Sequence, residues 1–219
     1  MTFKAPDSLA EQIAQHLAER IIRGELKPGE RIQEQKVTQA LNVSRGSVRE
    51  ALLILERRHL IVILPRRGAQ VTEITAHNVI SLCNLMSELY VLLAIAVART
   101  WKEQADLGAF LQIQQRLIAS SERADVQAFV EDSFNVMRAA FPFADNPYLQ
   151  ETVENLQPSM SRNYSLALEQ RKAEMGDYLN LFANLLGAVI ARDEVLIRKV
   201  LGDYAERSCK LILSALTAG

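Results

Sequence analysis

Apolar residues recur every three to four positions along the first sixty residues, and the phase of that recurrence breaks at short polar or glycine-bearing links. Leu9, Ile13, Leu17 and Ile21 form one stripe. Ser8 and Glu11 have the form of a capping box ahead of it, and Gly24 ends it, so the pattern predicts a first helix between them. Pro28-Gly29 signals a turn, and residues 33–41 read as a second, short helix. After the two-residue link Asn42-Val43, Ser44 caps a third helix whose inward stripe is Val48, Leu52 and Leu55, running to about His59. The next segment, LIVILPRRGAQVTEI, is β-branched and apolar on both sides of Pro65-Arg66-Arg67-Gly68, the pattern of two strands joined by a tight hairpin. Thr75 ends this region and caps the helix that follows. From Ala76 to Gly219 no strand-like alternation occurs. Long helical periods are separated by turns near Asp106, Ser120 to Asp125, Pro142 to Pro147, Pro158 and Asp193, enough for six or seven helices.

The fold class predicted is mainly α. Three helices followed by a hairpin over residues 1–75 make a winged helix-turn-helix with a small β-hairpin wing, and residues 76–219 make an all-α bundle. Composition agrees: 9 glycines and 6 prolines in 219 residues are too few for a many-turned sheet protein, and 49% hydrophobic with 23% charged residues is ordinary for a soluble globular chain. Cys83 and Cys209 have no metal-type spacing and read as buried thiols of a reducing cytoplasm, without a disulfide. The N-terminus lacks the apolar core of a signal peptide. The most apolar run, Leu89 to Ala98, is far short of the roughly 20 residues of a membrane span, so the expected location is cytoplasmic, with no membrane partner.

Charge is unevenly distributed along the chain. The net charge of -1 conceals a head, residues 1–75, of net +3 and a body of net -4. Arg45 and Arg49 lie four apart at the start of the third helix, on the side away from Val48 and Leu52. In a helix-turn-helix that helix enters the major groove with its first turn leading, and arginine pairs bidentately with guanine O6 and N7. Ser44 and Ser47 are short hydroxyls able to reach phosphates, as can backbone N–H groups at the helix start. Arg66, Arg67 and Gly68 at the hairpin tip add cations and close backbone approach. These residues predict double-stranded DNA as a partner.

The stretch GELKPGERIQEQKVTQALNVSRGSVREALLILERRHLIVILPRRGAQV resembles the DNA-binding domain of the GntR family of bacterial transcription regulators, with VSRGSVREAL and PRRGAQV as its most specific parts. The resemblance covers about residues 8–75 and implies base and phosphate contacts at Gln35, Arg45, Arg49 and the Arg67-Gly68 tip; Gln35 stands where the family often has arginine. The later helices, through MSELYVLLAIAVA, VEDSFNVMRAAFPFADNPYL and LLGAVIARDEVLIRKVLGDY, resemble the effector-binding and dimerisation bundle of the FadR subgroup, the FCD domain.

Many members of that subgroup hold a divalent metal with an Asp, a His four residues on and two further histidines. The matching places here are Glu131, Asn135, Phe182 and Tyr204, with no histidine among them. His16, His59 and His77 lie in or beside the head. No metal and no cofactor are therefore expected. An arginine that the family places one turn before Glu88 is here Asn84. Asn84, Glu88, Glu131, Asn135, Phe182 and Tyr204 are the expected effector pocket, more aromatic than usual and suited to an uncharged or hydrophobic-tailed molecule rather than a small dicarboxylate.

The expected protein is a ligand-responsive homodimeric regulator, a repressor on a short palindromic operator. Two other readings stay open at this point: a helical-bundle ligand-binding protein or enzyme whose first helices serve protein contacts, and an effector-independent DNA-binding protein. No Gly-rich phosphate loop, nucleophile elbow, Cys-His pair or HExxH motif supports an enzyme.

Overall fold

The computed structural model describes residues 8–65 and 68–217. The chain divides into two compact units: the described residues up to Ile74 with Asn155–Arg162, and the described residues of Thr75–Glu154 with those from Asn163 on.

The first unit contains α1 (Leu9–Ile22), β1 (Arg31–Ile32), α2 (Glu34–Leu41), α3 (Arg45–Arg57), β2 (Ile61–Leu64) and β3 (Gly68–Val71). On α1 the buried stripe is Ala10, Ile13, Ala14, Leu17, Ala18 and Ile21. Leu9, expected on that stripe, is 49% exposed because Ala10 takes the inward place of the first turn. The capping box is half formed. Ser8 Oγ accepts from the Glu11 N–H at 3.1 Å, but the Glu11 carboxylate turns to Arg58 and ties α1 to the end of α3. These helices and the sheet close on a core that includes Leu17, Ile21, Val48, Leu55, Leu60, Ile61 and Ala69.

The sheet has three antiparallel strands in the order β1-β3-β2, with Leu64 opposite Gly68 and Ile32 opposite Ala69. The hairpin pattern accounts for β2 and β3. The two residues of β1 are too few to show an alternation, so this strand has no signature of its own.

Asn42 closes α2 in the left-handed region at φ 51, and its N–H donates to the Thr38 carbonyl. Asparagine tolerates that backbone and a β-branched residue does not. Asn42→Val is expected to cost roughly 1–2 kcal/mol, and Asn42→Gly to change stability by a few tenths only; a denaturant titration of both variants checks this.

Helix α7 (Pro147–Gln170) supplies the first unit's discontinuous segment. Its Arg162 is 5% exposed, and its Nη1 donates to the Thr72 carbonyl at 2.9 Å and to Thr72 Oγ1 at 3.1 Å, while Nη2 has no partner. Burial pulls this guanidinium down to about 10, opposed by the nearby Glu73 carboxylate. It is still charged at neutral pH and ties α7 to the residue that follows β3.

The second unit contains α4 (Ala76–Thr100), a 3-10 turn (Gln104–Leu107), α5 (Gly108–Glu122), α6 (Val126–Ala144), the outer parts of α7, α8 (Glu174–Ile190) and α9 (Glu194–Thr217). Thr75 Oγ1 caps α4, and α4 packs chiefly on α9 and α6. One expected turn is absent, since Pro158 lies inside α7; the turn expected over Pro142 to Pro147 is present at Asp145, φ 43, although Pro142 itself is still inside α6. Packing of neighbouring helices overrides a missing N–H there. Conversely, α7 ends at Gln170 in a stretch without Gly or Pro, which carries no local breaker signal.

Helix α4 corrects the reading of its apolarity. All 25 residues together are long and apolar enough, by length and composition, to cross a membrane, with a mean hydropathy of 1.9 over 18 residues. Its stripe Val79, Cys83, Met86, Tyr90, Leu93 and Val97 is buried inside the bundle, as in a core helix. Cys83 and Cys209, 126 positions apart in sequence, are neighbours as free thiols; burial first, then the Cys209 thiol, pushes Cys83 up to about 12.

Candidate nucleic-acid interface and bundle cleft

The link between α2 and α3 fixes where the arginines point. The left-handed Asn42 reverses the chain, and Ser44 Oγ then accepts from the Ser47 N–H at 3.1 Å and lies 2.9 Å from Ser47 Oγ, so α3 starts at Arg45. Val48, Ala51, Leu52 and Leu55 are buried behind it. Arg45 and Arg49 are both exposed, one turn apart at the head of α3, and Ser44 is exposed beside them with Ser47 half-buried. Gln35 is exposed in the first turn of α2.

Arg49 has a partner that the sequence did not announce: its Nε donates to Glu34 Oε2 at 2.9 Å, across 15 positions. With the arginine 69% exposed, this is a surface pair worth at most about 1 kcal/mol. Gly68 begins β3 at φ +80, and a Cβ there would lie 3.1 Å from the Ile32 carbonyl oxygen, so both backbone and space require glycine. Arg66 and Arg67 lie outside the described residues.

The six expected pocket residues are not brought together. Asn84 and Glu88 are exposed on α4, and Glu131 is exposed on α6. Asn135 is half-buried in an outer network, its amide donating to Asp132 Oδ1 at 3.1 Å and its carbonyl accepting from Arg138 at 2.7 Å, while Arg116 Nε donates to the same Asp132 oxygen at 2.8 Å. The reason is phase. Asn84, Glu131 and Asn135 each follow an inward residue, Cys83, Val130 and Phe134, by one position, a rotation of about 100° away from the core. Phe182 is buried and lines an apolar void of about 40 Å³ with Tyr90, Phe110 and Leu201, room for little more than water.

Tyr204 is the member that lines a larger cavity. Between α8 and α9, with Tyr164 of α7, lies an open cleft of about 360 Å³. Tyr204 stacks edge-on against Tyr178, ring centroids 5.5 Å apart, and Tyr178 against Phe129 at 5.3 Å. Tyr178 Oη donates to the Ser133 carbonyl at 3.4 Å, and Tyr204 shares hydrogen bonds with Tyr164 and Ser208. Burial raises all three phenols above their ordinary range, so they are neutral donors at physiological pH. Around them stand Glu174, Asp177, Asn180, Asn184, Asp203 and Arg207, the last paired with Asp177 at 3.1 Å. The signal for this group was present as polar residues at helical spacing, Glu174, Asp177, Asn180 and Asn184 on one helix and Asp203, Tyr204 and Arg207 on the next. It reads equally well as two solvated faces until the helices are paired.

Comparison with known proteins bears on both units. Residues 9–71 match the family described as bacterial regulatory proteins, gntR family, and residues 84–207 match the FCD domain. The chain is 24% identical over 206 residues to the HTH-type transcriptional regulator McbR of Escherichia coli K12, covering 94% of this chain and 93% of that protein. It is 31% identical over 157 residues to the HTH-type transcriptional repressor RspR of the same strain, covering 69% and 66%. The solved structure of E. coli McbR/YncC superposes with a TM-score of 0.80 at 24% identity, covering 95% of this chain and 99% of that one, a likeness of fold. Both matched domains are those of transcription regulators, not of enzymes.

Proposed function

This chain belongs to the gntR family of bacterial regulatory proteins and carries its FCD domain, and from that premise we propose that it is a cytoplasmic, homodimeric repressor that releases a palindromic operator when a small molecule occupies its bundle. The observation that carries the reading is the exposed pair Arg45 and Arg49, held on the leading turns of α3 by the Asn42 reversal and the Ser44 cap. Two guanidinium groups presented in this way read guanine edges in the major groove. Gln35, Ser44 and Ser47 set the register against phosphate and sugar, and the Gly68 tip with Arg66 and Arg67 reaches the neighbouring backbone. Two copies related by a two-fold axis match an inverted repeat in the DNA. The domain of residues 1–75 is the reader, and the bundle of residues 76–219 is the sensor and dimer contact. For a ligand to relieve repression it must bind the released form more tightly than the operator-bound form.

Selection of binding sites from random duplex DNA tests this directly. The expected product is an inverted repeat with G·C pairs at fixed places in each half-site, bound by two chains per duplex, with log affinity falling linearly in log salt. Enrichment of no sequence over the starting pool would remove the regulator reading for this chain.

A further inference from the structure

Within the bundle's sensor role proposed above, we infer that the cleft between α8 and α9 is a binding site for a compact organic cation, an ammonium- or guanidinium-bearing metabolite. Three observations carry this. The cleft holds about 360 Å³, the size of a small-metabolite site. Its charged lining is acidic: Glu174, Asp177 and Asp203 against Arg207 alone, and Arg207 is already neutralised by Asp177 at 3.1 Å. Glu174 and Asp203 therefore face the cavity with no cation of the lining matched to them, and a carboxylate ligand would meet like charge. Its inner wall includes Tyr164, Tyr178 and Tyr204, phenols whose aromatic rings attract a cation and whose hydroxyls stay neutral.

The same geometry argues for a molecule over a bare metal ion. Among the described residues no three carboxylate, histidine or cysteine side chains converge on one point, so Glu174, Asp177 and Asp203 stand apart around the cleft. A point charge could use at most two of them at a time. An extended cation with hydrogen-bond donors can span the separation, and Asn180, Asn184 and Ser208 offer it further polar partners.

The test uses the full chain and four probes in thermal-shift and calorimetric titrations: choline and putrescine as cations, succinate as a dianion, and glycerol as a neutral polyol. At least one cation is expected to raise the melting temperature saturably and to weaken with added salt. Glu174→Gln and Asp203→Asn, both at polar accessible positions, are each expected to reduce that affinity 10-fold or more while the unliganded melting temperature holds. Tyr204→Phe, which keeps the ring, is expected to retain binding within a few-fold. Succinate or glycerol binding more tightly than either cation overturns the proposal, as does binding insensitive to both neutralised acids, or no binding by either cation. In each of these cases unimpaired selection of an operator by the same protein leaves the DNA-binding reading standing, so the two failures are distinguishable.

Discussion

Arg45→Ala with Arg49→Ala is expected to erase discrimination between a selected operator and scrambled DNA, while leaving the salt-dependent background binding. Each bidentate arginine-guanine contact is worth about 1–3 kcal/mol, so each single variant should lose about 5- to 150-fold in operator affinity and the double variant more. Lysine is no substitute, since it lacks the planar fork, and Arg49→Lys should fall nearer to alanine than to wild type. Glu34 sharpens the test. In the free protein its carboxylate holds Arg49 Nε at 2.9 Å, and it adds negative charge beside the expected phosphate path. Glu34→Gln removes both obstacles at the cost of a surface pair worth at most about 1 kcal/mol. The expected result is an operator affinity raised by up to about five-fold, provided that Arg49 is present. Fluorescence anisotropy at fixed salt on both duplexes measures all of these. If the double alanine variant binds operator as tightly as wild type, α3 is not the reading helix.

The reading head was legible because its signals are local. The Ser44 cap, the Asn42-Val43 link and the inward triad Val48, Leu52 and Leu55 act within a few residues of one another, and Gly68 announces its positive φ by being glycine. What escaped depends on chain segments meeting at long range. Glu34 reaches Arg49 across 15 positions, Glu11 reaches Arg58 across 47, and Arg162 reaches Thr72 across 90. None of these carboxylates or guanidiniums differs locally from a solvated surface charge.

In the bundle the difficulty was angular. Helical periodicity fixes the inward stripe to within one residue, and one residue is about 100° of rotation. Family likeness placed Asn84, Glu131 and Asn135 in a pocket, but each falls one step past a buried neighbour. Phe182 and Tyr204 are inward in phase, yet they line different cavities, because which helices pair decides what faces what. The polar residues of α8 and α9 became a cleft only through that pairing.

Phe129→Ala is expected to be the most damaging single change in the second unit. The ring is fully buried and stands edge-on to Tyr178, whose own ring stands edge-on to Tyr204. Truncation removes its transfer free energy, leaves a cavity in a packed interior and withdraws one end of the aromatic chain, about 3–5 kcal/mol in all. For a unit of this size that corresponds to a fall of roughly 6–20 °C in melting temperature. Phe129→Leu fills most of the space and should recover more than half of the loss. Tyr178→Phe isolates the remaining term: it keeps the stack and loses only the long hydrogen bond to the Ser133 carbonyl, so a cost below about 1 kcal/mol is expected. Scanning calorimetry of the three variants separates packing from hydrogen bonding. Because Phe129 lies in the second unit and the first unit's core shares none of its partners, the affected transition should be the bundle's. A Tm change under about 2 °C for the alanine variant would show that the ring does not hold Tyr178, and with it the inner wall of the cleft, in place.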